Sequence, residues 1–264
     1  NSLSIAMKIP FHKYQATGND FILIDNRSGI FSFSVDQIKK ICDRKFGVGA
    51  DGLILIEKHS STDFNLNYYN SDGSQSLCGN GSRADVQFAS TLGLINGKTS
   101  FHAYDGLHDA ELQSTEKIRL RMNDVNEVKE LGANLFINTG SPHLICFAKD
   151  IQHYPVFEEG RKLRYDKQFE AKGGTNVNFV ELQPNNTIFV RTYERGVENE
   201  TLSCGTGVTA AALAASRQGY TSPVTVKTLG GELSVEFKQS GTPIFSHIYL
   251  NGPAKKVFEG IFEF

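Results

Sequence analysis

The sequence predicts two similar domains, each a β-sheet wrapped on one central helix. Two observations carry this. Cys78-Gly79-Asn80-Gly81 runs into a helical stretch closed by Gly93, and Cys204-Gly205-Thr206-Gly207 runs into Val208 to Ser216, closed by Gly219. Both read Cys-Gly-x-Gly into a helix ended by glycine. Two further blocks recur in the same order. Thr17-Gly18-Asn19 answers Thr139-Gly140-Ser141 at an offset of 122, and Gly49 to Glu57 answers Gly173 to Glu181 at 124, against 126 for the cysteines.

Each element has a local reason. Lys8 to Asp25 is a strand broken at Thr17-Gly18-Asn19-Asp20. Val35 to Arg44 reads as a short helix with Ser34 as N-cap. Gly47-Val48-Gly49-Ala50-Asp51-Gly52 matches G-x-G-x-x-G but precedes the strand Leu53 to Glu57. A dinucleotide loop would open a helix, so this is a tight turn. Phe64 to Asn70 alternates as a strand, and Asn70-Ser71-Asp72-Gly73 turns the chain toward Cys78. Phe101 to Tyr104 and Lys117 to Met122 are strands either side of a turn at Asp105-Gly106. The pattern restarts after Val128, with strands at Leu135 to Ile137, Leu144 to Ala148, Val177 to Glu181 and Thr187 to Glu194. The Ala-rich run after Cys204 is apolar on nearly every side, which marks a core helix. Val224 to Lys227, Glu232 to Phe237 and Ile244 to Leu250 are closing strands, and the apolar tail Val257 to Phe264 must pair with something.

The chain of 264 residues is 39% apolar and 21% charged, with a net charge of −2. That excludes a basic footprint for nucleic acid. No apolar run reaches the length of a membrane span, and the N-terminus lacks the shape of a signal peptide. A cytoplasmic setting is the simplest expectation. Met7 reads as the native start, with residues 1–6 an added remnant. Four cysteines without Cys-x-x-Cys argue against a disulfide framework or a structural zinc site.

Two thiols at helix starts suggest chemistry. The first N–H groups of a helix and its macrodipole attract an anion and favour a thiolate. Gly205 and Gly207 would let a ligand approach closely. If the domains face each other across a pseudo-twofold, Cys78 and Cys204 look into one cleft. The N–H groups of Gly79, Asn80, Gly205 and Thr206 would hold a carboxylate there, with its α-carbon between the sulfurs. One thiolate would remove the α-proton while the other thiol protonates the opposite face, inverting the centre. No metal or organic cofactor is required, and closure must exclude water. Cys42 and Cys146 read as inert core. His143, alone, would be structural. Glu194-Arg195 would ordinarily be a surface pair, but in a dry cleft it can bind an amine and a carboxylate. Asn19, Asn70 and Asn176 sit at strand-end turns, where asparagine also occurs for conformational reasons.

With these residues the sequence resembles the diaminopimelate epimerase family, cofactor-independent enzymes of the lysine and peptidoglycan pathway. The likeness lies in Thr17 to Phe21, Gly47 to Gly52, Asn70 to Gly73 with Cys78 to Gly81, Gly140 to His143, Asn176 to Asn178, Glu194 to Gly196, and Cys204 to Gly207. The resemblance implies a duplicated α+β unit, each half a mixed sheet rolled around a central helix. The halves would be 7–128, joined by the returning tail 252–264, and 129–251. It implies Cys78 and Cys204 as catalytic acid and base, and His143 and Glu194 as residues that tune the thiols. Substrate contacts would come from Asn19, Asn70, Gly79, Asn80, Asn176, Glu194, Arg195, Gly205 and Thr206. A homodimer is implied, with Phe258 at an aromatic position of the dimer contact.

The chain departs from the family pattern at three places. Ser141 stands where asparagine is frequent, Gly52 where some members carry glutamine, and Ala84 where a second cysteine is frequent. Ser141 and Gly52 remain further candidate contacts. A proline racemase or hydroxyproline epimerase is the alternative, disfavoured because proline has no second head group for Glu194-Arg195. A non-catalytic amino-acid-binding protein would not need both thiols. A thiol redox pair would need sulfurs within bonding distance.

Overall fold

The computed structural model describes residues 7–171, 173–241 and 244–264. Residues 1–6, read above as an added remnant, lie outside them. The chain divides into two units, one ending at Arg119 and completed by Pro253–Phe264, the other Leu120–Gly252.

The first unit holds β1 (Lys8–Ala16), β2 (Asn19–Asp25), α1 (Val35–Cys42), β3 (Gly52–Glu57), β4 (Phe64–Asn70), α2 (Gly79–Thr91), β5 (Lys98–Ala103) and β6 (Gly106–Leu112). The pairs alternate: β1/β2 antiparallel, β2/β3 parallel, β3/β4 antiparallel, β4/β5 parallel, β5/β6 antiparallel. The apolar tail pairs with β1, as the strand Lys255–Glu263. Helix α2 packs across β1 to β4 on one face of this sheet. On the other face Ile38, Ile41 and Cys42 of α1 meet Ile22, Ile24, Leu53 and Leu55. With both faces covered, β3 is an unbroken apolar run. Ser34 caps α1 as expected: its Oγ accepts from the Gln37 N–H while the Gln37 side chain accepts from the Ser34 N–H.

After β7 (Lys117–Arg121), the second unit holds β8 (Val128–Leu131), β9 (Asn134–Asn138), β10 (Pro142–Phe147), α3 (Val156–Arg164), α4 (Lys167–Glu170), β11 (Asn176–Gln183), β12 (Thr187–Glu194), β13 (Asn199–Thr201), α5 (Gly205–Ala215), β14 (Val224–Thr228), β15 (Gly231–Gln239) and β16 (Phe245–Pro253). Its pairs repeat the first unit's order: β9/β10 antiparallel, β10/β11 parallel, β11/β12 antiparallel, β12/β14 parallel, β14/β15 antiparallel. Helix α5 packs against β9 to β12, β14 and β15. Ten of its eleven residues are buried, as an apolar helix requires.

Several elements escape the sequence pattern, among them the short strands β8 and β13. Strand β6 is mostly polar and half-exposed, so its alternation carries almost no apolar signal. The sequence of α3 carries Gly160 mid-helix, where a Cβ would fall 2.4 Å from that of Tyr193. Its signature is the charge order instead, Glu158 and Glu159 early and Arg161, Lys162 and Arg164 late. The four-residue α4 is too short to show a period. Among the described residues no helix is long and apolar enough to cross a membrane.

Candidate active site

Cys78 is the N-cap of α2, with φ −127° and ψ 112°, and Cys204 is the N-cap of α5, with φ −124° and ψ 114°. The repeated motif therefore produces one backbone twice. Gly79 and Asn80, like Gly205 and Thr206, occupy the first helical turn, whose N–H groups have no acceptor within the helix.

Around Cys78 the side chains form a short polar chain. The Cys78 Sγ accepts from the Gly81 N–H at 3.4 Å and lies 3.6 Å from Asn19 Oδ1. Asn80 Nδ2 donates to the same Asn19 oxygen at 3.1 Å, and Asn19 Nδ2 donates to Asp51 at 2.6 Å. This fixes which way the Asn19 amide points. Asp51 is tied to Arg44, which also holds Asp20 together with Lys13. Burial would raise Asp20, but hydrogen bonds from Arg44 and Lys13 hold it well below the usual carboxylate range. Asn70 donates to Ser74 and Ser76 and so holds the loop that delivers Cys78. Gly52 lies against the Tyr68 ring, where a Cβ would come within 2.3 Å.

Around Cys204 the chain is longer and drier. The Cys204 Sγ lies 3.5 Å from Thr206 Oγ1, which lies 2.9 Å from His143 Nε2. His143 Nδ1 lies 3.0 Å from Asn178 Nδ2, and Asn178 Oδ1 accepts from the Thr192 hydroxyl at 2.8 Å. The donors can be assigned in order. Because its oxygen accepts from Thr192, Asn178 presents its NH2 to Nδ1, so the imidazole proton sits on Nε2 and points at Thr206. The Thr206 hydroxyl is then able to donate to the sulfur. His143 is fully buried, and burial, aided by the Arg195 charge, pushes it down to about 3. It is a neutral donor, not an acid. Gly207 does not open the backbone to a ligand, contrary to expectation. A Cβ there would fall 2.4 Å from Asn178 Oδ1 and 3.2 Å from the His143 ring.

The same unit gathers the remaining candidates. Asn176 donates to Ser141 Oγ and to the Pro142 carbonyl, each at 2.9 Å, and accepts from the Arg195 N–H at 2.8 Å. Thr139 donates to the Thr206 carbonyl at 2.8 Å. Glu194 accepts from the Thr201 hydroxyl. Arg195, Gly140 and Pro142 line a cavity of about 700 Å³, shared with Asp124 and Glu127.

Residues 11–128 and 135–257 match the family model described as diaminopimelate epimerase. The chain belongs to the diaminopimelate epimerase family. It is 50% identical over 252 residues to the diaminopimelate epimerase of Flavobacterium psychrophilum, covering 94% of this chain and 98% of that one. Against that of Chlorobaculum tepidum the identity is 43% over 254 residues, covering 92% and 97%. Among solved structures, a PhzF-family phenazine biosynthesis protein of Bacillus anthracis superposes with a TM-score of 0.75 at 14% identity, covering 97% of this chain and 99% of that one. A hydroxyproline epimerase from Agrobacterium vitis gives 0.66 at 12%, covering 97% and 92%. At these identities the solved structures share the fold: α+β, a mixed sheet on a central helix, made twice.

Within this family member, sequence reasoning passed over Asn178, Thr192 and Thr139. The signal was there for Asn178, a second asparagine inside the otherwise apolar β11. A buried amide in such a run needs partners, and His143 and Thr192 are those partners. Cys42 and Cys146 are buried among apolar side chains, and burial pushes both thiols up to about 12. Phe258 is half-exposed on the last strand, with its ring edge-on to Phe11 and Val257 and Ile261 exposed beside it.

Proposed function

We propose that this chain is an isomerase that interconverts L,L- and meso-diaminopimelate by a two-thiol acid/base mechanism, without a metal or organic cofactor. The observation that carries the reading is the repeated cap: two thiols, one per repeat, each at the start of a buried helix on the same backbone. Membership of the family and the 50% identity to a relative of that name support the substrate.

In the forward direction one thiolate takes the α-proton. The C–H electron pair passes into the carboxylate as an enolate-like charge, and the opposite thiol gives its proton to the other face. The centre inverts, and thiol and thiolate have exchanged places. The N–H groups of Gly79, Asn80, Gly205 and Thr206 receive the carboxylate and its developing charge. His143 tunes Cys204 through Thr206, whose hydroxyl donates to the thiolate. Glu194 supplies the anion and Arg195 the cation for the amino-acid group at the distal end. Asn19, Asn70 and Asn176 complete the polar wall. Ser141 is tied to Asn176 and shares its position; Gly52 has no side chain to offer. The protein acts as a cytoplasmic homodimer with Phe258 at the contact, which its exposed apolar neighbours support.

The test is solvent isotope incorporation. The reduced protein is incubated with L,L-diaminopimelate in heavy water, and one α-position is followed by proton NMR with chiral analysis. Deuterium entering one carbon as the meso isomer appears is the expected result. Turnover of proline or hydroxyproline instead would move the assignment to the proline-acting relatives. Exchange with no amino acid would leave only a binding protein.

A further inference from the structure

Helix α2 carries a charge that the two-thiol scheme does not use. Arg83, five residues after Cys78, is fully buried. Its Nε donates to the Pro253 carbonyl at 3.4 Å and its Nη2 to the Thr17 hydroxyl at 3.2 Å, while Nη1 has no hydrogen-bond partner. Among the described residues no carboxylate pairs with it. Asp85, two positions on, is also fully buried, but neither of its carboxyl oxygens has a hydrogen-bond partner and no ion pair joins it to Arg83. A buried guanidinium without an anion is costly and calls for one. Cys78, as a thiolate, is the negative charge that favours its cation; burial otherwise pulls Arg83 down to about 10, which still leaves it charged at neutral pH.

Thr17 adds a second reason. Thr17 and Gly18 form the two-residue turn between β1 and β2, with φ of 48° and 84°. A β-branched residue at positive φ is held there only by its surroundings. Thr17 is itself buried, and its hydroxyl accepts from Arg83. Two residues on, Asn19 meets Cys78 and Asn80.

We propose that Arg83 is a positioning residue of the active site: its guanidinium braces the Thr17-Gly18 turn that carries Asn19, and it is the buried counter-charge of the Cys78 thiolate. This rests on the two-thiol reading for its catalytic meaning, but not for its test. No proton leaves Arg83 during turnover. The cation stays fixed while Cys78, five residues earlier at the start of the same helix, gains and loses its proton.

The experiment is alkylation of the reduced protein by iodoacetamide as a function of pH, read peptide by peptide by mass spectrometry. Cys204 of the same molecule serves as internal reference, and a thermal unfolding midpoint shows that each variant is folded. Arg83→Met is expected to raise the Cys78 alkylation midpoint by about one pH unit or more, the effect of losing a nearby opposite charge, and to leave that of Cys204 in place. Arg83→Lys, which keeps a charge but not the fork, is expected to hold the Cys78 midpoint and to lower turnover. A folded Arg83→Met with an unmoved Cys78 midpoint, or with both midpoints moved together, overturns the proposal. If Arg83→Met does not fold, Arg83→Lys decides alone: a Cys78 midpoint raised as far as a lost charge predicts overturns it. Turnover of Cys78→Ala distinguishes the two readings. If that variant remains active while Arg83→Met shifts the midpoint, the counter-charge stands and the two-thiol mechanism falls.

Discussion

Adding one methyl group at Gly207 opposes two effects whose sizes can be compared. Alanine is the better helix former by about 1 kcal/mol, so propensity alone predicts that Gly207→Ala stabilises α5. The structure predicts the reverse. The new Cβ would stand 2.4 Å from Asn178 Oδ1 and 3.2 to 3.3 Å from the His143 ring, both fully buried. Overpacking a filled core costs about 1–3 kcal/mol. Pushing Asn178 aside also strands a buried donor or acceptor, about 1–3 kcal/mol more. The net is a loss of roughly 3 kcal/mol, with turnover falling as the Thr206–His143–Asn178 chain is displaced. The matching residue of the first repeat is the control. A Cβ on Gly81 would meet Ile54 Cδ1 at 3.3 Å and nothing else closer than 3.4 Å, and the Ile54 methyl can give way. Gly81→Ala should therefore change stability by less than about 1 kcal/mol. Urea unfolding of both variants is the assay. Equal stability of Gly207→Ala and Gly81→Ala would refute the packing described for His143 and Asn178.

Other consequences follow from the same geometry. Cys78→Ala and Cys204→Ala should each abolish epimerisation and leave the fold intact, since both sit at half-exposed caps; circular dichroism and the isotope assay together check this, and substantial turnover in either would end the two-thiol scheme. Arg195→Ala should cost discrimination for diaminopimelate over amino acids with one head group, read as the ratio of kcat/KM values. Asp20→Asn leaves buried Lys13 without its anion and should cost about 3 kcal/mol at pH 7. Since the folded state depresses Asp20 below its usual 3.8, that contribution is complete above this pH, and the gap between the two proteins closes as pH falls below it. His143 works the other way: held near 3 against 6.5 when unfolded, it makes the protein lose about 1.4 kcal/mol per pH unit as pH falls from 6.5 toward 3, and His143→Gln should remove that slope in urea titrations.

Much of the local structure around the candidate site was legible because its parts are backbone devices with sequence signatures. A cysteine before Gly-x-Gly and a helical run reads as a capped helix start, and Thr-Gly-Asn between two apolar runs reads as a strand break, which the structure makes a hairpin turn. The near-constant offsets revealed the duplication, which the two matching orders of strand pairing express in three dimensions. What escaped was whatever depends on a partner far along the chain. Asn178 is an ordinary strand asparagine until His143, 35 residues earlier, is laid beside it in parallel register. Gly207 looked like room for a ligand because a sequence does not say what fills the space above a glycine. Arg83, one turn into a helix that also carries Asn80, Ser82, Asp85 and Gln87, gave no hint that it would be buried, since arginine there is usually on the solvent face.

The two halves repeat a backbone but not an electrostatic design. At Cys78 the sulfur meets the Asn19 amide, and the helix it caps carries the buried Arg83 proposed as its counter-charge. At Cys204 it meets a hydroxyl whose own donor is a neutral imidazole. A reaction that runs in both directions between stereoisomers of similar energy explains why duplication can tolerate this difference. In the proposed two-thiol scheme each thiol is base in one direction and acid in the other. If one were much the stronger acid, the proton would rest on the other, and the barrier would rise by that difference in one direction. What must match is the strength of the two thiols rather than the residues that set it. A fixed cation on one side and a hydrogen-bond chain on the other can meet that condition, provided neither is altered alone. Substitutions at Arg83 and at His143 should therefore shift the ratio of forward to reverse kcat in opposite senses, while the ratio of the two kcat/KM values stays at the equilibrium constant.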